Sequence, residues 1–224
     1  MPFTVPPLEH LLKHSTVVKV PLSTPFRGIK ARITMLFRGT ERVGEWAAFP
    51  EYSDELAAQW LVSALEQAYD PSFSKKTGRI YPVPVNATFG EIGPAEIPGW
   101  WKKFPGARSA KIKIAGSDQS LEDDIRRVEA VADAAGTELP LRLDGNGNLS
   151  IEQALELVSR LSHLWIDYLE QPVSSVAEMA ELRARLQGSS VRLAADELLR
   201  HENSLDRITT ARAADVAVLK VSPL

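Results

Sequence analysis

The sequence predicts an α/β protein in two parts: a small α+β unit over residues 1–82, then a partial (β/α) TIM-type barrel over residues 83–224 with about six strands. Three observations predict it. From residue 83 onward short apolar runs alternate with helix patterns about every 27 residues, the size of a βα unit. Before that point the pattern is three strands followed by one helix. Nucleotide-binding open sheets are disfavoured because neither G-x-G-x-x-G nor a P-loop follows the first parallel strand.

In the first part, Thr16 to Leu22, Lys30 to Phe37 and Arg42 to Phe49 read as strands, with a hairpin turn at Arg38-Gly39-Thr40-Glu41. Ser53 or Asp54 caps a helix whose Ala57, Trp60, Leu61, Ala64, Leu65 and Ala68 share one face. Asp70 to Arg79 is polar and rich in turn residues, the linker candidate. In the second part the strands are expected at Val83–Ala87, Ala110–Ile114, Leu139–Leu143, Trp165–Leu169, Val191–Ala195 and Val216–Val221. The helix capped by Ser120 carries Leu121, Ile125, Val128, Ala132 and Ala135 on one face and stops at Gly136. Ser150 with Gln153, and Ser175 with Glu178, form capping boxes. A shorter helix is expected over about Ser204 to Ala213.

Composition narrows the function classes. The 224 residues carry 26 Lys and Arg against 29 Asp and Glu, a net charge of −3 that gives no footprint for nucleic acid or an anionic membrane. No apolar stretch approaches the roughly 20 residues of a membrane span. Cysteine is absent, which removes thiolate nucleophiles and cysteine zinc sites and suits a reducing, cytoplasmic setting.

The polar residues of the second part fall near strand ends: Lys111 and Lys113, Asp144, Glu170, Asp196 with Glu197, and Lys220. Asp144, Glu170 and Asp196 are spaced 26 residues apart, one per βα unit. In a parallel barrel the active site lies at the C-terminal strand ends, so three carboxylates and at least two lysines converge on one mouth. Three carboxylates on rigid strands suit a hard divalent cation such as Mg²⁺. A lysine beside a bound cation is a usable base, and the metal stabilises the enolate-type charge that proton removal creates. Singly, each motif has a plain structural reading. Asp144-Gly-Asn146-Gly147 is a turn sequence, Glu170-Gln171-Pro172 a strand exit, and Asp196-Glu197 a helix start. Their shared register is what points to chemistry. His10 and His14 read as a surface pair, His163 and His201 as structural residues, the tryptophans as packing, and Arg27, in a Phe-Arg-Gly loop, as a contact for a substrate carboxylate.

Lys111-Ile-Lys113, Leu143-Asp-Gly-Asn146, Tyr168-Leu-Glu-Gln-Pro172, Ala194-Ala-Asp-Glu197 and Val218-Leu-Lys220, in that order, resemble the enolase superfamily, muconate-lactonizing subgroup. The resemblance implies a capping domain over residues 1–82 and Mg²⁺ held by Asp144, Glu170 and Asp196. It implies that Lys113 removes a proton and then helps water leave, and that Lys220 stabilises the enediolate-like intermediate. Lys111, Asn146, Gln171 and Glu197 are supporting residues. The nearest likeness within the subgroup implies a hydro-lyase acting on a small carboxylate. A racemase or epimerase of N-acylamino acids or dipeptides is the alternative, and a non-catalytic chain that needs a partner is the third reading. Leu198 stands where the family usually has serine. Because the sequence stops just after the sixth strand, it predicts an open barrel edge and a separate chain as the partner that completes it.

Overall fold

A computed structural model describes residues 3–26, 29–40, 42–50, 52–72, 82–200 and 203–220. The chain divides into two compact units, one built on the residues up to Pro82 and taking in Lys220, the other spanning Val83–Leu219.

The first unit opens with α1 (Leu8–Lys13), which follows Pro7. An antiparallel sheet then runs β1 (Ser15–Phe26), β2 (Ile29–Arg38) and β3 (Val43–Trp46) in that order. The registers Val17↔Met35 and Leu36↔Glu45 fix the pairing. Helix α2 (Asp54–Tyr69) starts where the Ser53 hydroxyl accepts the Leu56 amide, and it buries Trp60, Ala64, Leu65 and Ala68. The last three pack with Leu11 and Phe37. The helix lies close on the hairpin because Gly39 and Gly44 present no side chain: a Cβ there would stand 1.8 Å from the carbonyl oxygens of Ala68 and Ala64. The third strand is shorter than its apolar run suggests. The His10 and His14 ring centroids lie 4.4 Å apart with the rings tilted by 34°. Most of the linker candidate, Asp70 to Arg79, lies outside the described residues, as does His201.

The second unit is a six-stranded parallel sheet in chain order: β4 (Asn86–Phe89), β5 (Ser109–Lys113), β6 (Leu141–Asp144), β7 (Ile166–Glu170), β8 (Arg192–Ala195) and β9 (Val216–Ala217). A doubly wound sheet reverses its order at a switch point. Among the described residues this one never does, which is barrel-type winding. Between the strands come α3 (Ile97–Trp101), α4 (Leu121–Ala135), α5 (Ile151–Arg160), α6 (Val176–Arg185) and α7 (Ser204–Thr210). The boxes at Ser120, Ser150 and Ser175 start α4, α5 and α6, each hydroxyl taking the amide three residues on. Gly136, at φ +94°, ends α4.

Three strands start later or end sooner than their apolar runs. Val83 and Val85 are exposed and pairing begins at Asn86, because Pro82 and Pro84 have no N–H for a ladder. Pro140 likewise delays β6 to Leu141. Among the described residues of the last run, β9 takes in only Val216 and Ala217. Trp165 and His163 are exposed, against the reading of both as structural. Along β5 to β8, Ala110, Ile112, Leu141, Leu143, Leu169, Leu193 and Ala195 join the helices' Ile125, Val128, Leu157, Met179 and Leu182 in one core. The alternate positions, Lys111, Lys113, Asp144, Glu170 and Ala194, therefore share the opposite face. No described helix is long and apolar enough to cross a membrane.

Candidate active site

Strand register sets the site. Lys113 lies beside Asp144, Asp144 beside Glu170, and Glu170 beside Ala194. Asp196 is two residues further along, on the same face. The 26-residue spacing is thus one strand, one helix and two connections repeated; it sets Asp144 and Glu170 side by side and Asp196 two residues beyond the partner of Glu170. The three carboxylates are buried, at 1%, 0% and 4% exposure for Asp144, Glu170 and Asp196.

Buried carboxylates need compensating charge. The Lys111 ammonium bridges Glu170 Oε1 at 2.8 Å and Asp144 Oδ2 at 2.9 Å. Lys113 Nζ donates to the same Asp144 oxygen at 2.5 Å and to Asn146 Oδ1 at 2.7 Å. The Asn146 amide donates to Glu197 Oε1 at 3.0 Å. Arg200 Nη2 reaches Asp196 Oδ2 at 2.9 Å and Glu197 Oε1 at 3.2 Å. Gln171 is the backbone tie: its Oε1 accepts the amides of Asp196 and Leu198 at 3.1 and 3.2 Å, and its Nε2 donates to the Val173 carbonyl. Both Asn146 and Gln171 adopt positive φ, an uncommon conformation away from glycine that is held here by these contacts.

The charges act on one another. Burial raises the Glu170 carboxyl above the ordinary glutamate range, and the neighbouring negative charge of Asp144 raises it further against the pull of Lys111. Burial also works to raise Asp144, but its two lysines outweigh it and the net direction is down. Lys111 is held upward: burial opposes the ammonium, and the two carboxylates override it.

Counter-charges stand between the three carboxylates. Among the described residues no three His, Asp or Glu side chains are close enough to hold a metal ion as they stand. The reason is electrostatic: Lys111 sits between Asp144 and Glu170, and Arg200 draws Asp196 to its own side. The donor set nonetheless fits a hard divalent cation. All three groups are carboxylates, Glu170 Oε2 is buried without a hydrogen-bond partner, and Glu170 is raised by repulsion from both Asp144 and Asp196.

Lys220 is partly buried and groups with the first unit. Arg27 lies outside the described residues. Arg200 was not singled out by sequence. Its one signal is its position four residues after Asp196 and three after Glu197, within reach of both on a helical turn.

A parallel barrel-type sheet with paired lysines on one strand end and carboxylates on the next three defines an enolase-type scaffold. Family models bear this out: one described as enolase C-terminal domain-like matches residues 102–224, and one described as enolase N-terminal domain-like matches residues 17–68. The chain belongs to the enolase superfamily. It is 42% identical over 221 residues to the o-succinylbenzoate synthase of Mycolicibacterium smegmatis, covering 98% of this chain and 66% of that protein. The o-succinylbenzoate synthase of Mycobacterium ulcerans is also 42% identical, over 97% of this chain and 64% of its own. The chain thus spans about two thirds of the length of these curated relatives. Among solved structures, a dipeptide epimerase from Enterococcus faecalis superposes with a TM-score of 0.72 at 18% identity, over 94% of this chain and 73% of that one. A Roseovarius nubinhibens protein described as a mandelate racemase/muconate-lactonizing enzyme, solved with magnesium, gives 0.71 at 21%, over 94% and 71%. At these identities the structures speak for the fold.

Proposed function

We propose that this chain carries an o-succinylbenzoate synthase site, which eliminates water from 2-succinyl-6-hydroxy-2,4-cyclohexadiene-1-carboxylate to give 2-succinylbenzoate. One observation carries the reading: 42% identity to proteins of that name runs over nearly the whole chain, including the strand ends that bear the lysines and carboxylates. The distant epimerase likeness is one of fold alone.

In this reading Asp144, Glu170 and Asp196 hold Mg²⁺, which when bound stabilises the negative charge that builds up on the substrate carboxylate. Lys113 takes the proton from the ring carbon bearing that carboxylate. The electron pair moves into the ring, the neighbouring hydroxyl leaves, and Lys113 returns the proton to it, so one water is lost and the ring becomes aromatic. Lys111 keeps compensating charge between Asp144 and Glu170. Asn146 orients the Lys113 amine through its 2.7 Å contact and is itself held by Glu197. Lys220 supplies the second cation to the intermediate, and Arg27 a contact to a substrate carboxylate.

The test is an absorbance assay of 2-succinylbenzoate formation with Mg²⁺ present, run beside a polarimetric assay of N-acylamino acid racemisation. Dehydration that disappears in Lys113→Ala supports the reading. Racemisation without dehydration would replace it with the isomerase.

A further inference from the structure

Outside the carboxylate cluster, α4 carries a second buried ion pair that the proposed chemistry does not use. Asp124 and Arg127 are 1% and 2% exposed, with Arg127 Nη1 at 2.8 Å from Asp124 Oδ1. Surface i,i+3 pairs contribute little to stability, and a buried one is costly unless its remaining donors and acceptors are satisfied. Here they are satisfied by the exit of β5. Arg127 Nη1 donates to the Lys113 carbonyl at 3.0 Å, while Asp124 Oδ2 accepts the Ala115 amide at 2.8 Å. The pair therefore grips the backbone on both sides of Ile114. It also holds Ala115 at φ +57°, a conformation costing an L-residue roughly 1–2 kcal/mol. The rest of the guanidinium ties in the neighbouring loops: Nε donates to the Ile92 carbonyl beyond β4 at 3.0 Å, and Nη2 to Gln119 Oε1. On the other side, the Ile114 amide donates to the Asp144 carbonyl at 3.0 Å.

We propose that the Asp124–Arg127 pair positions Lys113, fixing where its side chain leaves the strand so that the amine meets the substrate proton. This rests on the reading of Lys113 as the proton-transferring base. Neither residue touches the reacting atoms, and neither pairs with the three carboxylates. Turnover should therefore fall while metal and substrate binding persist, since a misplacement of order 1 Å in a reacting group can cost about 100-fold in rate.

The experiment uses the whole chain with Mg²⁺ and compares Arg127→Met, Arg127→Lys, Asp124→Asn and Asp124→Ala. Lysines are reductively methylated with ¹³C-formaldehyde, and the Lys113 resonance, assigned by its loss in Lys113→Arg, is read at a single pH. In Arg127→Met this resonance should move to the exposed-lysine position, and kcat should drop about 10–100-fold with KM and Mg²⁺ affinity within about twofold. Arg127→Lys should not restore it, because three donors on a single nitrogen cannot replace the planar fork that serves four acceptors, the Lys113 and Ile92 carbonyls, Gln119 and Asp124. Asp124→Asn, which still accepts the Ala115 amide, should retain more turnover than Asp124→Ala. If Arg127→Met fails to fold, Arg127→Lys carries the same readings. A folded Arg127 variant with an unchanged Lys113 resonance and unchanged kcat overturns the proposal. So does an equal loss in kcat, substrate binding and metal binding, which marks a general structural role. Turnover surviving in Lys113→Ala refutes instead the reading of Lys113 on which the proposal stands.

Discussion

At the scale of single residues, buried polar groups decide the behaviour of the site. Gln171 is completely enclosed, and its side-chain oxygen is the acceptor for two amides at the exit of β8. Gln171→Leu keeps the volume and removes that acceptor. An unsatisfied buried N–H costs about 1–3 kcal/mol, so denaturant unfolding should show a loss of at least about 2 kcal/mol. Lys113 offers a second residue-scale test. In Lys113→Arg the positive charge remains, but a guanidinium stays protonated at any working pH. Dehydration should therefore fall as far as in Lys113→Ala, read by the same absorbance assay; near-normal turnover would place the base elsewhere.

At the scale of elements, two contacts set how helices sit on sheets. Gly44 lets α2 approach β3 so closely that an added methyl would meet the Ala64 carbonyl at 1.8 Å, backbone against backbone. Gly44→Ala should destabilise the first unit by roughly 1–3 kcal/mol, seen as a lower midpoint in its unfolding transition. In the second unit Asp215 joins α6, β8 and β9: Arg183 Nη2 stands 2.6 Å from its Oδ1, and its Oδ2 accepts the Leu193 amide. Burial works to raise the Asp215 carboxyl, but the Arg183 and Leu193 hydrogen bonds outweigh it and hold it below the ordinary aspartate value. A depressed folded-state value adds stability above the unfolded pKa of about 3.9, and that stability is lost as pH falls through the folded value. Asp215→Asn should therefore cost about 1 kcal/mol at neutral pH, discounted for the partly exposed arginine. Urea unfolding should show the gap to wild type closing in acid, as pH falls below the unfolded value and through the depressed folded one.

At the scale of the whole molecule, the repeat was legible before the geometry. Capping boxes at Ser120, Ser150 and Ser175 marked helix starts because their chemistry is local, and the spacing of Asp144, Glu170 and Asp196 marked strand ends because each βα unit has nearly the same length. Strand starts were less legible: proline removes a ladder donor without changing the apolar pattern, so β4 and β6 begin inside their runs. Asp124, Arg127 and Arg200 were invisible as site residues. A charge on a helix is normally solvated, and burial depends on what the fold lays over it. The counter-charges between the carboxylates were likewise not readable, since they arise from chain segments up to 59 residues apart, as for Lys111 and Glu170.

The central claim is that Asp144, Glu170 and Asp196 form one divalent-cation site. A titration of the chain with Mn²⁺, following the free ion by electron paramagnetic resonance and competing with Mg²⁺, tests it most directly. One site per chain is expected, displaced by Mg²⁺ and weakened at least about tenfold by each of Asp144→Asn, Glu170→Gln and Asp196→Asn, with Glu122→Gln on the exposed face of α4 unchanged. Binding that survives all three carboxylate substitutions, or no saturable binding in the wild-type chain, would contradict it.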